Sequence, residues 1–333
     1  MSRPIKHRLS SRLSPEEKSI DSALRPLSWD QYIGQERIKN NLWTMMEAAK
    51  KRNESIEHLL FYGQAGLGKT TLANIVAKEM GCSIRTTSGP VIEKSGDLAA
   101  ILSSLEQGDV LFIDEAHRIN KSIEEMLYPA MESKKLHLII GKGPSARMMT
   151  IDLPDFTLIA ATTRLNLLSS PLRSRFGAVI KLDYYEHKDI KKIIERSASI
   201  LKIKINKEAV EVIASAARFT PRIANRLLKR VRDTAQVQNK DIIDGEIAKK
   251  TLEMFEIDFL GLEEYDRRLL KTVIEKFNGG PVGLSSLAAA LGEDKGAIED
   301  VYEPYLIKMG LLQRTSSGRV VSQLAREHLE SSG

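Results

Sequence analysis

The 333-residue chain is poor in cysteine, in aromatic side chains and in long apolar runs, and each scarcity excludes something. One cysteine, Cys82, rules out an internal disulfide and suits a reducing, cytoplasmic setting, where a lone thiol packs as a small buried hydrophobe. No apolar run approaches the ~18 residues that a membrane span requires. None follows Arg3, Lys6, Arg8 and Arg12 either, so these residues do not open a secretory signal. Neither sign of charge dominates: the net charge of +6 divides into +4 over residues 1–183, +5 over 184–256 and −3 over 257–333. That balance is a weak pointer to nucleic acid, but residues 304–326 carry Lys308, Arg314, Arg319 and Arg326 without an acid. Repeats and low-complexity segments are missing too. An apolar content of 42% and this length describe a globular chain of two or three domains.

What is present is a phosphate-binding loop. Gly63-Gln64-Ala65-Gly66-Leu67-Gly68-Lys69-Thr70 places a glycine, four residues and then Gly-Lys-Thr. The backbone amides of Gly63, Gly66, Leu67 and Gly68 can turn toward phosphates. Lys69 supplies a point charge for the β- and γ-phosphates, Thr70 an oxygen for Mg2+, and Thr71 opens a helix whose N-terminus favours anions. Downstream, Leu111-Phe112-Ile113-Asp114-Glu115 is an apolar strand ending in two carboxylates. Asp114 suits the metal and Glu115 suits activation of water, so the pair of motifs predicts binding and hydrolysis of a nucleoside triphosphate. His117 and Arg118 receive no catalytic role.

Around these motifs, residues 21–183 alternate short apolar strands with helices, an α/β pattern with a mostly parallel sheet. Strands are expected at His58–Tyr62, Val110–Asp114, Phe156–Thr162 and Ala178–Leu182, helices at Thr71–Met80 and Ser122–Met131, and a β-hairpin over Leu136–Leu153 turning at Gly141-Lys142-Gly143-Pro144. Residues 184–256 read as a small all-α domain with helices at Ile190–Leu201, Lys207–Ala217, Pro221–Val237 and Asp244–Phe255. Residues 257–333 hold helices near Glu263–Lys276, Leu284–Leu291 and Ala297–Met309, then strands Leu311–Arg314 and Arg319–Ser322, which together describe a winged helix. Residues 1–20 form a basic extension.

Three further groups are candidates for the site. The strand ending in Thr162 and Thr163 suits a sensor of the γ-phosphate, and Thr163 is the residue assigned to it. Ser169-Ser170-Pro171-Leu172-Arg173-Ser174-Arg175-Phe176-Gly177 sets arginines beside a rigid proline, so that Arg175 could reach a neighbouring subunit's nucleotide. Thr220-Pro221-Arg222 starts a helix and projects Arg222 from its first turn, where it could close over the γ-phosphate. In the wing, Arg314 and Arg319 flank the turn Thr315-Ser316-Ser317-Gly318, so a hairpin would bring both to one edge as contacts for DNA phosphates.

Taken together these residues form the pattern of an AAA+ ATPase. Leu24-Arg25-Pro26, Tyr32-Ile33-Gly34-Gln35, the segment Ser170–Gly177 and Thr220–Leu228 closely resemble the RuvB family of Holliday-junction branch-migration motors. The resemblance implies an AAA+ P-loop domain, a small helical lid and a winged helix. It implies that Leu24, Arg25, Ile33 and Gly34 border the adenine with Tyr185 and Arg222, and that Glu132, Ser133 and Lys134 face nucleotide near the subunit boundary. It implies a homohexamer around duplex DNA, a partner RuvA docked on the hairpin 136–153 through Ile139, Ile140, Met148 and Met149, and the resolvase RuvC in the same complex. Phe219 departs from the glycine usual before Thr-Pro-Arg, and Ser316-Ser317 from the usual wing turn. The alternatives are an AAA+ switch ATPase of the replication-initiator or clamp-loader kind and a DNA-binding regulator with a degenerate ATPase domain. Lys69, Asp114, Glu115 and Arg175 speak against the second.

Overall fold

The computed structural model describes residues 21–140 and 147–331. The basic extension 1–20 and the hairpin turn at Gly141–Pro144 lie outside the described residues.

The first domain is built on a parallel sheet of β1 (Leu59–Tyr62), β2 (Ile84–Ser88), β3 (Val110–Asp114), β6 (Thr157–Thr162) and β7 (Ala178–Lys181), in the order β2-β3-β6-β1-β7. β3 and β6 are nearly continuous apolar runs because helices cover both faces of the sheet. One face packs with α1 (Glu36–Arg52) and α2 (Lys69–Met80), the other with α3 (Ser95–Ser103) and α4 (Lys121–Ser133). The apolar pattern marks the central strands but not β2, whose sequence Ile-Arg-Thr-Thr-Ser lies half-exposed at the sheet edge and is held by pairing with β3. After α4 the chain leaves the sheet as an antiparallel hairpin, β4 (Lys135–Ile140) with β5 (Arg147–Asp152). Its base is buried at Leu136, while the cross-strand pair Ile139 and Met148 is 76% and 73% exposed.

The second domain packs α6 (His187–Ile200), α7 (Lys207–Ala216), α8 (Pro221–Val237) and α9 (Gly245–Met254), which follow α5 (Ser170–Arg173) of the first domain. Asn206 and Asp244 cap α7 and α9 by accepting the amides of Ala209 and Ile247. A two-residue parallel pair, β8 (Lys204–Ile205) with β9 (Ile242–Ile243), fastens this otherwise helical unit and is too short to leave a pattern in the sequence. Its buried residues continue the core of the first domain, from Leu59 and Phe61 through Ile190 to Leu228 and Leu252. The two domains therefore share one seam.

The third domain has its own core, formed by α10 (Glu264–Phe277), α11 (Leu284–Leu291), α12 (Lys295–Ala297), α13 (Glu303–Lys308), the ribbon β10 (Leu312–Thr315) with β11 (Gly318–Val321), and α14 (Gln323–Ser331). The single helix expected over Ala297–Met309 is broken by a π turn at Ile298–Tyr302. Pro304 explains the break, since it lacks the amide that an α-helix would donate to Asp300.

Candidate functional site

The phosphate loop runs from β1 into α2, with backbone turns that side chains would obstruct. Gly63 has φ 144°, and a Cβ there would stand 2.4 Å from the Leu182 carbonyl oxygen. At Gly66, φ 84°, a Cβ would stand 3.0 Å from Cβ of Arg222, so the first turn of α8 lies directly on the loop. Leu67 turns its side chain into the core and offers only its backbone to the site. Lys69 is buried, its Nζ donating to the carbonyls of Gly63 and Gln64 at 2.8 and 2.9 Å. Burial lowers its pKa, and Asp114 and Glu115 pull it back up.

Thr70 Oγ1 donates to Asp114 Oδ2 at 3.2 Å, and the other carboxylate oxygen accepts the Glu115 amide at 2.9 Å. A hydroxyl and a fixed carboxylate side by side are hard oxygen donors, the chemistry that Mg2+ takes alongside phosphate oxygens and water. Glu115 is in the left-handed region, φ 50°, which turns its carboxylate off the strand axis. His117, a residue to which the sequence assigns no role, links it to β6. Its Nε2 stands 3.4 Å from Glu115 Oε2, and its Nδ1 is 2.9 Å from Thr162 Oγ1. Burial lowers the His117 pKa, with Glu115 opposing. The neutral tautomer protonated on Nε2 satisfies both neighbours. The Thr162 hydroxyl also accepts the Arg164 amide at 2.9 Å, so it is committed within the protein. Thr163, next in the chain and half-buried, is thereby the better sensor candidate of the two.

Around Tyr32 and Tyr185 the structure gathers residues far apart in the chain. Tyr185 Oη donates to the Leu67 carbonyl at 3.3 Å and stands 3.2 Å from Tyr32 Oη, a hydroxyl that can donate to it in turn. Burial pushes the Tyr32 phenol up to about 12 and raises that of Tyr185 as well. A Cβ on Gly34 would meet the Tyr185 ring at 3.0 Å, and Arg196 donates to the Leu24 carbonyl at 2.9 Å. Leu24 is buried, Ile33 half-buried and Arg25 exposed beside this cluster. The loop, the Leu24–Gly34 segment, Tyr185 and Arg222 thus converge on the seam between the first two domains, and Thr71 follows in the first turn of α2.

Arg175, Glu132, Ser133 and Lys134 form a second group. The Arg175 Nε is 3.1 Å from Glu132 Oε1, and Arg175 and Lys134 line a cavity of about 480 Å³ with His58, Asp155 and Glu57. This cavity opens at the start of β1, where the Gly177 amide donates to the His58 carbonyl at 2.9 Å. The phosphate loop is at the other end of that strand.

The wing requires a correction. Arg314 and Arg319 are cross-strand neighbours, as the hairpin reading expects, but they do not stand free at an edge. Arg319 is 8% exposed, its Nε 2.7 Å from Glu303 Oε1 and its Nη2 3.1 Å from Glu299 Oε1. Arg314, half-exposed, reaches Glu303 at 2.6 Å and Glu299 at 3.0 Å. The acid-free stretch 304–326 hides this because both carboxylates precede it in sequence and meet it only in the fold.

A parallel-sheet P-loop domain, a helical lid on the same seam and a winged helix define an AAA+ ATPase. Family models match all three parts: the Holliday junction DNA helicase RuvB P-loop domain at residues 24–182, the RuvB AAA lid domain at 185–258 and the RuvB C-terminal winged helix domain at 259–330. Among solved structures, the RuvB Holliday junction branch migration motor of Thermotoga maritima is 52% identical, with a TM-score of 0.85 over 92% of this chain and 98% of that one. Two point variants of that protein match at 51% identity over the same shares, with TM-scores of 0.86 and 0.84. The chain belongs to the RuvB family, ATP-hydrolysing motors of Holliday-junction branch migration. Membership displaces the switch-ATPase alternative. Among the described residues no helix is long and apolar enough to cross a membrane.

Proposed function

We propose that this motor works as a cytoplasmic homohexamer around duplex DNA, each ATP site being completed by a neighbour's Arg175. Lys69 and the loop amides bind the phosphates, Thr70 and Asp114 would hold Mg2+, and Mg2+ would offset charge on the β- and γ-phosphates. Glu115 orients and deprotonates the attacking water, Thr163 and Arg222 sense the γ-phosphate, and Leu24, Arg25, Ile33, Gly34 and Tyr185 border the adenine. The observation that carries the reading is the placement of Arg175 at the start of β1. From His58 to Gly63 the strand spans about 16 Å, farther than an arginine side chain extends, so Arg175 serves another subunit's nucleotide rather than its own.

The hairpin strands, with Ile139, Met148 and Met149 exposed, would be the surface for RuvA, and RuvC would join the same assembly at the junction. The side chain of Ile140 lies outside the described residues. In the wing, Arg314 is the candidate phosphate contact, and Arg319 supports it from beneath.

The test is complementation. Arg175→Ala subunits keep Lys69, Lys69→Ala subunits keep Arg175, and each alone should be inactive. Mixed rings should recover ATPase activity at sites where an intact loop meets an intact finger. Mixed rings that form but stay inactive at every ratio would refute action in trans.

A further inference from the structure

Arg175 does not project freely; it is clamped between two elements. Its guanidinium carbon lies 4.4 Å from the ring centroid of Tyr128 on α4, within cation–π range. Its Nη1 donates to the Pro171 carbonyl on α5 at 2.6 Å. Its Nε pairs with the Glu132 carboxylate by charge alone, being buried with no hydrogen-bond partner. The ring is itself held. Tyr128 Oη stands 3.0 Å from Ser169 Oγ and 3.4 Å from Glu124 Oε1. Glu124 is a buried carboxylate that accepts the Ser169 hydroxyl and, at 3.2 Å, the Ser169 amide. Ser169 Oγ in turn accepts the Leu172 amide at 3.1 Å and so caps α5, the turn that carries the finger.

Glu124, Tyr128 and Glu132 are spaced four apart and form one stripe along α4. This stripe builds the finger's seat: Glu124 locks the cap of α5, Tyr128 provides a flat face, and Glu132 sets a counter-charge at its rim. A long arginine free in solvent samples many rotamers, and each one away from the productive pose reduces the fraction of rings ready to react.

We propose that Tyr128 is a positioning residue for the Arg175 finger, its ring fixing the guanidinium and its hydroxyl registering that ring against Ser169 and Glu124. The proposal rests on the reading that Arg175 acts in trans, and the experiment separates the two. In mixed rings, Arg175→Ala subunits accept a finger and Lys69→Ala subunits donate one. Adding Tyr128→Leu to the donor should cut the restored ATPase rate about tenfold or more, because an ångström of misplacement is costly at a reacting centre. Adding Tyr128→Phe to the donor, which keeps the ring face, should leave most of that rate. Adding Tyr128→Leu to the acceptor should leave it intact, and neither Tyr128 substitution should change the ATP affinity of the intact acceptor sites.

Equal losses from donor and acceptor would mean a general structural role and overturn the proposal, as would a donor that tolerates Tyr128→Leu. Failure of the parent mixture, with mixed rings demonstrated, would instead remove the trans finger and the proposal with it. Should Tyr128→Leu prevent entry into rings, Glu124→Gln goes through the same two arms. It weakens the charged acceptor that holds Ser169, and its loss too should follow the donor.

Discussion

His58 sits at the cavity that Arg175 lines, and its buried ring meets two backbone partners. Its Nδ1 accepts the Leu158 amide at 2.9 Å, and its Nε2 lies 3.2 Å from the Met131 carbonyl, an arrangement only the neutral tautomer protonated on Nε2 satisfies. Burial is the main cause that lowers its pKa to about 4, and Lys134 lowers it further. An unfolded histidine takes its proton near 6.5, so between pH 6.5 and 4 the unfolded chain binds more protons. The stability His58 contributes is therefore fully present above pH 6.5 and is lost as the pH falls toward 4, up to about 3 kcal/mol. Denaturant unfolding of His58→Gln should show a shallower loss over that window than the parent, and equal slopes would refute the assignment. At the other end of β1, Glu115→Gln should retain ATP affinity and lose about 10²–10⁴-fold in turnover, since Lys69, Thr70 and Asp114 stay in place. A single-turnover assay beside an ATP-binding titration checks both halves. His117, which bridges Glu115 and Thr162, could not be read from the sequence, because a histidine two residues beyond a carboxylate is common and its partner is 45 residues away.

Among the elements, those with strong periodicity were legible and those held by partners were not. β3 and α8 match their expected bounds because apolar spacing and Pro221 mark them. β2 escapes because an edge strand of threonine and arginine is stabilised by pairing rather than burial. The P-loop and its carboxylate partners were legible at once, their geometry being set by local glycines and a strand end. The wing shows the limit. Its ribbon was expected and is present, yet the burial of Arg319 depends on Glu299 and Glu303, contributed by the preceding π turn and helix. The two arginines accordingly have different consequences when removed. Arg319→Ala leaves the buried Glu303 without its inner partner and should destabilise the winged helix by about 3–5 kcal/mol. Arg314→Ala should leave folding nearly unchanged and flatten the salt dependence of duplex binding by about one unit of slope. Thermal unfolding and a salt titration of DNA affinity, run on both variants, separate these roles. Equal melting points would place Arg319 at the surface.

Across the whole molecule, several contacts join the winged helix to the first two domains, Arg226 on α8 with Glu263 and Lys308 over the Tyr184 ring among them, and two more lie beside the candidate nucleotide residues. Arg164, immediately after Thr162 and Thr163, forms a bidentate ion pair with Asp300 in the π turn. Arg218 and Phe219, immediately before Thr220-Pro221-Arg222, reach in the same direction: buried Arg218 pairs with Asp266 on α10 and donates to the Gly261 carbonyl at 2.7 Å. Phe219 packs into the winged-helix core, its ring 6.4 Å from Tyr305. Both residues are in the left-handed region, at φ 50° and 54°. A glycine at position 219 would adopt that backbone without strain, but it would have no side chain to place in the third domain. The departure at Phe219 thus exchanges backbone ease for a contact that fastens the winged helix to the same turn that aims Arg222 at the phosphate loop. Phe219→Gly should relieve about 1 kcal/mol of local strain and keep basal ATPase activity, since Arg222 and the loop are untouched. It should nevertheless reduce the stimulation of that activity by duplex DNA several-fold, because force on the winged helix would reach the lid through one fewer rigid contact. Asp300→Ala, which severs the tie to Arg164, should act in the same sense, and the double variant should lose more stimulation than either alone. ATPase rates with and without duplex, at saturating ATP, decide the matter: undiminished stimulation in the double variant would show that DNA signals to the ATP site by some route other than these two contacts.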